Sequence, residues 1–358
     1  MAVYTPVDKS TSFFTPFAYT GDDTSPRTIT DLTFEPDIVW IKNRTSASTH
    51  SLNSTVPSIN KTLRPDTNNG IETDAAYGYI NAVTSTGWTM QDGSSGASRT
   101  NQSPHTYMSW NWKAGTTSGI GGSPSITPTS YSFNATSKCS IIEYTGNGTS
   151  GATIPHGLGV KPACIIIKKT NTTEHWAVYN QGMDTTAPED YYMQFNGTGN
   201  RYDNTAIWND TAPDTTLITL GNDSTVNTSA ATYSAFCFAE VQGFSRFGSY
   251  LGNANADGPF INTGFKPSFI IIKQGEGSGT YGWYMWDNKR VGYNPDNEDL
   301  LVNTNAVEDD SNNYIDLFSN GFKIMVTGGN VNTDGSEYVY MAFGQSIVGS
   351  NGVCATGR

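Results

Sequence analysis

The stretch that decides the fold is TFEPDIVWIKN, residues 33–43. Two similar stretches follow it, LGVKPACIIIKK at residues 158–169 and TGFKPSFIIIKQ at residues 263–274. In each, an apolar and β-branched run begins just after a proline and ends at a lysine, which is typical of a buried strand. The residue before a proline favours extended conformations, which suits entry into a strand. The chain is therefore predicted to contain three related strand units.

Further anchors repeat at similar distances along the chain. The prolines of the three stretches are Pro36, Pro162 and Pro267, with offsets of 126 and 105 residues. Three other sets align with them: Lys42, Lys168 and Lys273; Tyr19, Tyr144 and Tyr250; Tyr107, Tyr233 and Tyr340. Because four separate anchors agree on the period to within two residues, an internal repeat is predicted to decide the architecture.

The composition favours an all-β fold. Of the 358 residues, 15% are charged and 12% are aromatic, whereas disordered chains combine many charges with few aromatics. Asn-Gly and Asp-Gly pairs supply turn signals between short strands. We therefore expect three β-sandwich or jelly-roll-like repeat units in tandem. The predicted units are residues 1–114, residues 131–242 and residues 243–358.

Residues 115–130, GTTSGIGGSPSITPTS, separate the first unit from the second. A stretch rich in Gly, Ser, Pro and Thr is typical of a linker. The second and third units are joined without such a spacer, through the aromatic stretch VQGFSRFGSY at residues 241–250. We therefore expect a hinge after the first unit and a third unit that packs on the second.

The net charge of −12 limits the classes of partner. Nucleic-acid phosphates require clustered Lys and Arg, and anionic membrane surfaces also attract basic segments. No apolar run approaches the length of a membrane span, and the N-terminal residues lack the pattern of a secretory signal. We expect no nucleic-acid partner and no membrane insertion.

No catalytic motif stands out in the sequence. The common zinc patterns of Cys and His are absent, as is the Gly-x-Ser-x-Gly motif of serine hydrolases. Cys164 and Cys237 lie in apolar runs that favour burial as small hydrophobic side chains. We expect no enzymatic activity and no cofactor. A glycan-cleaving enzyme remains as a lesser alternative, because the sequence cannot show whether two carboxylates face each other across a cleft.

Two segments are candidate binding sites. In GTYGWYMWD, residues 279–287, the rings alternate in orientation and cannot all face one core; rings on a loop can stack on sugars. The candidate residues are Tyr281, Trp283, Tyr284 and Trp286. NANADG and NVNTDG resemble the first half of a calcium loop, although such segments also form ordinary turns. The weak calcium candidates are Asn253, Asn255, Asp257, Asn330, Asn332 and Asp334.

Several blocks of the chain resemble a family of bacteriophage proteins. The most specific blocks are WIKNR at residues 40–44, HGLGV at residues 156–160, CFAEV at residues 237–241 and DNKR at residues 287–290. They are similar to an uncharacterised repeat domain in virion structural and tail-fibre proteins of tailed phages, often those of marine bacteria and of cyanophage type. The resemblance implies a component of the phage particle and names no catalytic residue.

This resemblance sets the expected function. We expect a non-enzymatic virion structural protein on the particle surface, as a capsid decoration or a tail-fibre component that contributes to host adsorption. Its partners would be other virion proteins and a host glycan or receptor. The chain would form a homo-oligomer, since multiple copies strengthen weak contacts by avidity. It would be made in the host cytoplasm and reside in the virion. The alternative is a carbohydrate-binding, lectin-like module.

Overall fold

The computed structural model describes residues 5–290, residue 294 and residues 298–346. Almost all regular secondary structure in these residues is β, which confirms the predicted all-β class. The strands form three large sheets and three smaller ones. The exceptions are two 3-10 turns at Ser10–Ser12 and Pro188–Asp190 and the single helical turn α1 (Thr205–Trp208).

The first large sheet has the strand order β1-β9-β3-β4-β5-β6, and a smaller sheet of order β2-β8-β7 accompanies it. Strand β9 lies between β1 and β3 and pairs with both in antiparallel fashion. The strands are β1 (Phe14–Thr20), β2 (Arg27–Ile29), β3 (Ile38–Asn43), β4 (Ser51–Ser54), β5 (Lys61–Leu63), β6 (Glu72–Thr73), β7 (Tyr79–Thr84), β8 (Gly87–Gln91) and β9 (Thr106–Trp112).

The second large sheet has the order β10-β11-β18-β13-β14-β15-β16, with a two-stranded sheet of β12 and β17 beside it. Here β18 lies between β11 and β13, as β9 does between β1 and β3. The strands are β10 (Ser130–Asn134), β11 (Cys139–Thr145), β12 (Ala152–Pro155), β13 (Cys164–Lys169), β14 (Trp176–Asn180), β15 (Tyr191–Gln194), β16 (Tyr202–Asp203), β17 (Leu217–Leu220) and β18 (Thr232–Phe238).

The third large sheet has the order β19-β26-β21-β22-β23, and the smaller sheet beside it has the order β20-β25-β24. Strand β26 pairs with both β19 and β21, so the same pairing scheme occurs in all three large sheets. The strands are β19 (Ser245–Leu251), β20 (Phe260–Asn262), β21 (Phe265–Glu276), β22 (Tyr284–Asp287), β23 (Leu300–Leu301), β24 (Ile315–Phe318), β25 (Gly321–Ile324) and β26 (Glu337–Ser346).

The strands that follow the three prolines are buried on both faces. In β3, Ile38 and Trp40 pack in a core shared by the whole molecule, whereas Val39 and Ile41 pack against the smaller sheet. Strands β13 and β21 divide their side chains between two cores in the same way. A sheet buried on both faces needs apolar residues at successive positions, which explains why these runs are continuous rather than alternating.

The inner faces of the three large sheets meet in one aromatic core, here called the central core. Trp112 of the first sheet lies 6.1 Å from Phe238 of the second and 5.8 Å from Phe269 of the third, measured between ring centroids. Phe238 in turn lies 5.5 Å from Phe343 of the third sheet. A cavity of about 40 Å³ within this core is lined by apolar residues from all three sheets.

Backbone hydrogen bonds close the three large sheets into a ring. The carbonyl of Arg44 accepts from the N–H of Glu308, so the third unit docks on the first. The other two junctions use the bonds from Ile71 N–H to Thr170 O and from Arg201 N–H to Gly275 O, each 2.8 Å. Each unit therefore places one segment against one neighbour and holds a segment of the other neighbour, so the three junctions form a closed cycle.

Residues 115–130 differ from the expected hinge. The N–H of Ile126 donates to the carbonyl of Thr153 over 3.0 Å, and Thr116 forms a β-bridge with Phe133. Each unit also has an outer core, which lies between its large sheet and the smaller sheet beside it. The Ile126 side chain is buried in the outer core of the second unit. Because the first unit also shares the central core with the other two, the expectation of a hinged first unit is wrong. Composition predicts an irregular connector but not the backbone bonds that hold it.

One of the sequence anchors is displaced by two residues. Tyr19 stacks on Tyr107 and Tyr144 stacks on Tyr233, with ring centroids 5.2 and 5.1 Å apart. In the third unit, Tyr250 stacks at 5.2 Å on Tyr338 rather than on Tyr340. The partner tyrosines are therefore separated by 126 and 105 residues, the same offsets as the prolines. The alternation of side chains along β26 places Tyr338 and Tyr340 on one face, which made the two indistinguishable from sequence.

Candidate functional site

The predicted aromatic site does not form one exposed surface. Trp283 packs in the central core and Trp286 packs in the outer core of the third unit, with 1% and 0% of their surfaces exposed. Tyr281 and Tyr284 are half-buried. The rings do alternate as predicted, but the sheet has a core on each face. Trp283 and Trp286 are therefore not exposed to a ligand, whereas Tyr281 and Tyr284 keep part of their surface exposed.

The Trp283 indole serves instead as a junction contact. Its Nε1 donates to the carbonyl of Gln194 in the second unit over 2.9 Å. Trp176 donates in the same way to the Thr67 carbonyl of the first unit, and His50 Nε2 lies 3.1 Å from the Leu301 carbonyl of the third. His50 accepts a bond from Trp40 at Nδ1, so Nε2 carries the proton. His50 therefore has a structural role. Trp176 and Trp283 stand at the matching positions of the other two large sheets.

The two calcium-like segments lie side by side, held together by Asn332. The Asn332 side chain is fully buried, and its Oδ1 accepts from the Asn253 N–H over 2.9 Å. Its amide nitrogen donates to Asn253 Oδ1 and to the Asn255 carbonyl. Asp257 forms an ion pair with Lys323, Asn330 donates to Tyr314, and Asp334 is exposed. The Asn332 amide already uses two oxygens of this loop as hydrogen-bond acceptors, so these contacts do not favour the calcium interpretation.

The same tie occurs in the other two units. Asn101 accepts from the N–H of Asp22, and Asn227 accepts from the N–H of Asn147. Both amides also donate back to the side-chain oxygen of the same partner residue. An asparagine side chain that both donates and accepts can bridge two loops. This explains the Asn-rich turns as part of the fold.

Removal of calcium by chelation is expected to leave the stability of this fold unchanged. Thermal melting with and without EGTA should give the same midpoint. A lower midpoint in EGTA would contradict this assignment.

Loss of the Asn332 hydrogen bonds is expected to lower the stability of the fold. Asn332→Ala should lower the free energy of unfolding by about 2 kcal/mol, since a buried N–H and several acceptors lose their partner. The control is Asn305→Ala at an exposed position.

Two of the blocks singled out in the sequence meet at the junction between the third unit and the first. Arg44 of the WIKNR block holds Glu308 with two bonds, of 2.8 and 2.7 Å, and Arg290 of the DNKR block adds one of 2.9 Å. Burial raises the pKa of Glu308, but the bonds from the two guanidinium groups more than offset it and hold that pKa below its usual range. Glu308 stands in the acidic run Glu308-Asp309-Asp310, a pattern that by itself indicates a solvated loop. Its partners lie 18 and 264 residues away.

A cleft of about 450 Å³ opens beside this junction and is here called the third-unit cleft. Asp299 and Asp309 form a β-bridge in its wall, with reciprocal N–H to carbonyl bonds of 2.9 and 3.1 Å. Residues paired in this way project their side chains from the same face. The lining residues are Tyr284, Asp299, Leu301, Ala306, Val307, Glu308, Asp309, Asp310, Tyr314 and Asn330.

The two bridged carboxyl groups have opposite environments. Burial, and then the negative charge of Asp309, raise the pKa of Asp299 to about 7. Hydrogen bonds from the hydroxyl and N–H of Ser311 lower the pKa of Asp309. Asp299 is 4% exposed, and its Oδ1 has no hydrogen-bond partner in the described part of the chain. Perturbed carboxyl groups in a cleft are typical of functional sites. Of the site residues predicted from sequence, Tyr284 and the calcium candidate Asn330 line this cleft.

The match to a known family covers nearly the whole chain. Residues 9–346 match a family described as a domain of unknown function, DUF7483. The chain belongs to this family. The matched part of this DUF7483 domain includes all three large sheets, so the family extends over the whole ring. Neither the curated proteins nor the solved structures that were compared with the chain give a match.

In the described part of the chain, no helix is long and apolar enough to cross a bilayer. Within the same residues, no three or more His, Cys, Asp or Glu side chains are grouped so that they could hold a metal ion. Cys139, Cys164 and Cys237 are buried free thiols, and burial raises the pKa of each.

Proposed function

We propose that this DUF7483 protein is a non-enzymatic structural component of a phage virion, displayed on the particle surface as a capsid decoration or tail-fibre part. The sequence blocks that resemble phage virion proteins support the proposal. The acidic, weakly charged surface of a chain with net charge −12 also suits a soluble outer component.

The closed ring is the observation that carries the proposal furthest. Three large sheets of one chain surround one core and dock in a cycle, so a single chain has the outline of a trimer. Symmetric particles present local three-fold positions, where a trimer or a trimer-like chain fits. We propose that one chain occupies such a position. A homo-oligomer of this protein would then consist of several such one-chain rings.

Labelling of purified particles tests this proposal. Antibodies against the protein should bind intact virions in immunogold electron microscopy, at the capsid or at the fibre tips. A density map should show one chain for each local three-fold site. An antibody against a cytoplasmic host enzyme serves as the control for contamination. Protein found only in the lysate of infected cells, and never on virions, would contradict the proposed function.

A further inference from the structure

We propose that the third-unit cleft binds a sugar-sized molecule that carries a protonated amine. The proposal concerns the isolated protein and holds wherever the protein lies in a particle. Four observations lead to it: an unpartnered buried carboxylate oxygen, an excess of negative charge, an aromatic wall made by two tyrosine rings, and the absence of the acid pair from the matching positions of the other two sheets.

The unpartnered oxygen is Oδ1 of Asp299. It is buried in the wall of the cleft and accepts no hydrogen bond from any residue that the structure describes. Buried polar atoms are nearly always paired, and an unpaired one requires an explanation. A ligand that donates a hydrogen bond into the cleft would satisfy it, and a charged donor would do so most strongly.

The charge around Asp299 favours a cation. The charged groups that act on it are Asp309, Glu308 and Arg290. Arg290 donates to Asp287 over 2.9 Å and to Glu308 over 2.9 Å, so its charge is shared with two other carboxylates. Asp299 and Asp309 therefore leave the cleft with net negative charge. A protonated amine would offset this charge.

Two tyrosine rings in contact with each other form an aromatic wall of the cleft. Tyr284 and Tyr314 lie 5.5 Å apart between ring centroids, inclined at 48°. The Tyr314 hydroxyl accepts a bond of 2.8 Å from the Asn330 amide, which orients the ring. Aromatic faces attract cations and stack on the apolar faces of sugars. A volume of about 450 Å³ admits a small sugar.

The acid pair is not required by the strand arrangement. Strand β23 pairs with β22 as β5 pairs with β4 and β15 with β14. At the position of the Asp299–Asp309 pair, the first sheet has Thr62 opposite Glu72. The second sheet has Tyr192 opposite Tyr202. Because the same strand pairing forms with other side chains in the first two sheets, the pair of a buried Asp299 and an exposed Asp309 is specific to the third-unit cleft.

Calorimetric titration with a matched pair of sugars tests the proposal. The probes are the β-1,4-linked disaccharide of glucosamine and its di-N-acetylated form, which differ in charge. At pH 7.5 we expect the amine form to bind at least ten-fold more tightly. Asp299→Thr, which takes the residue found at the matching position of the first sheet, should weaken this binding at least ten-fold. Asp203→Asn, at an exposed acid of β16, is the control and should bind like the wild type.

The pH dependence provides a second readout. Lowering the pH from 7.5 to 5.5 adds a proton to Asp299, whose pKa is about 7, and can only increase the charge of the amine. Asp309 and Glu308 stay ionised because their pKa values are lowered. Binding should therefore weaken several-fold.

Three results would overturn the proposal. They are equal binding of the two sugars, wild-type binding by an Asp299→Thr variant with an unchanged melting midpoint, and displacement of the amine sugar by calcium chloride at equal ionic strength. Release of reducing ends from either sugar would indicate an enzyme and would overturn it as well. None of these results depends on virion labelling, so the failure of this proposal can be told apart from failure of the proposed function.

Discussion

Phe269→Ala is expected to lower the free energy of unfolding by about 3–5 kcal/mol, the range for removing a buried phenyl ring. The ring is 1% exposed and packs in the central core against the first sheet. Its centroid lies 5.3 Å from Trp110, 5.8 Å from Trp112 and 5.9 Å from Phe14. The side chain thus joins the third sheet to the first, and the cavity beside it adds to the space that alanine would leave empty.

The same substitution tests whether the ring unfolds as one unit. Because all three large sheets share the central core, Phe269→Ala should lower a single melting transition rather than split it. Calorimetry gives the midpoint, and hydrogen exchange followed peptide by peptide shows which sheets open together.

The control for this experiment is Phe260→Ala. Phe260 is 45% exposed at the surface of the third unit, so its loss should cost less than about 1 kcal/mol. Two separate transitions, with residues 5–114 melting apart from the rest, would contradict a shared core and restore the hinge.

Lys273→Met is expected to raise the free energy of unfolding by about 3 kcal/mol at pH 7. The lysine is fully buried, and burial lowers its pKa to about 7. Its Nζ donates to the Gln274 carbonyl over 2.7 Å. The aligned lysines Lys42 and Lys168 have a pKa of about 8, and the carboxylates of Asp66 and Glu174 respectively act against the effect of burial there. Among the residues that the structure describes, no carboxylate does so for Lys273.

The sign of the pH dependence follows from this lowered pKa. In the unfolded chain a lysine stays protonated up to about pH 10.4, so between pH 7 and pH 10 the unfolded state binds more protons. Lys273 therefore contributes least to stability below pH 7, and its contribution rises with pH through that range. The gain from Lys273→Met should shrink to less than about 1 kcal/mol at pH 10.

Denaturant unfolding at pH 7 and pH 10 measures this difference. Lys161→Met is the matched control, because Lys161 is exposed and its replacement should change stability little at either pH. A Lys273→Met variant that is less stable than the wild type at pH 7 would show that the amine is needed in its charged form.

The strands were the part of the fold that could be predicted from sequence. The runs at residues 38–43, 164–169 and 269–273 are strands because apolar, β-branched residues stand at consecutive positions after a proline. The alternation of rings around Trp283 was also predicted. The burial of Trp283 and Trp286 in two different cores was not. Sequence shows that successive side chains point in opposite directions, but it does not show that each face of the sheet meets a core.

The candidate site depended on contacts between distant residues. In the sequence, Glu308 has the features of a solvated loop acid. Its partner Arg44 lies 264 residues earlier, and only the fold brings the two side chains together. Asp299 belongs to no sequence motif. Only the structure shows that its side chain is buried and that its Oδ1 has no partner among the described residues. Both side chains are defined by burial and by partners. Neither property can be read from local sequence.

The sequence by itself determined the all-β class and the position of the three decisive strands, because these depend on local propensity and on the alternation of side chains. The tertiary structure alone decided that the first unit is not hinged, that Tyr338 rather than Tyr340 faces Tyr250, and that the three sheets close around one core. Closure depends on the packing of side chains from all three units and on backbone hydrogen bonds between segments far apart in the chain. These interactions have no signature within any single stretch of sequence.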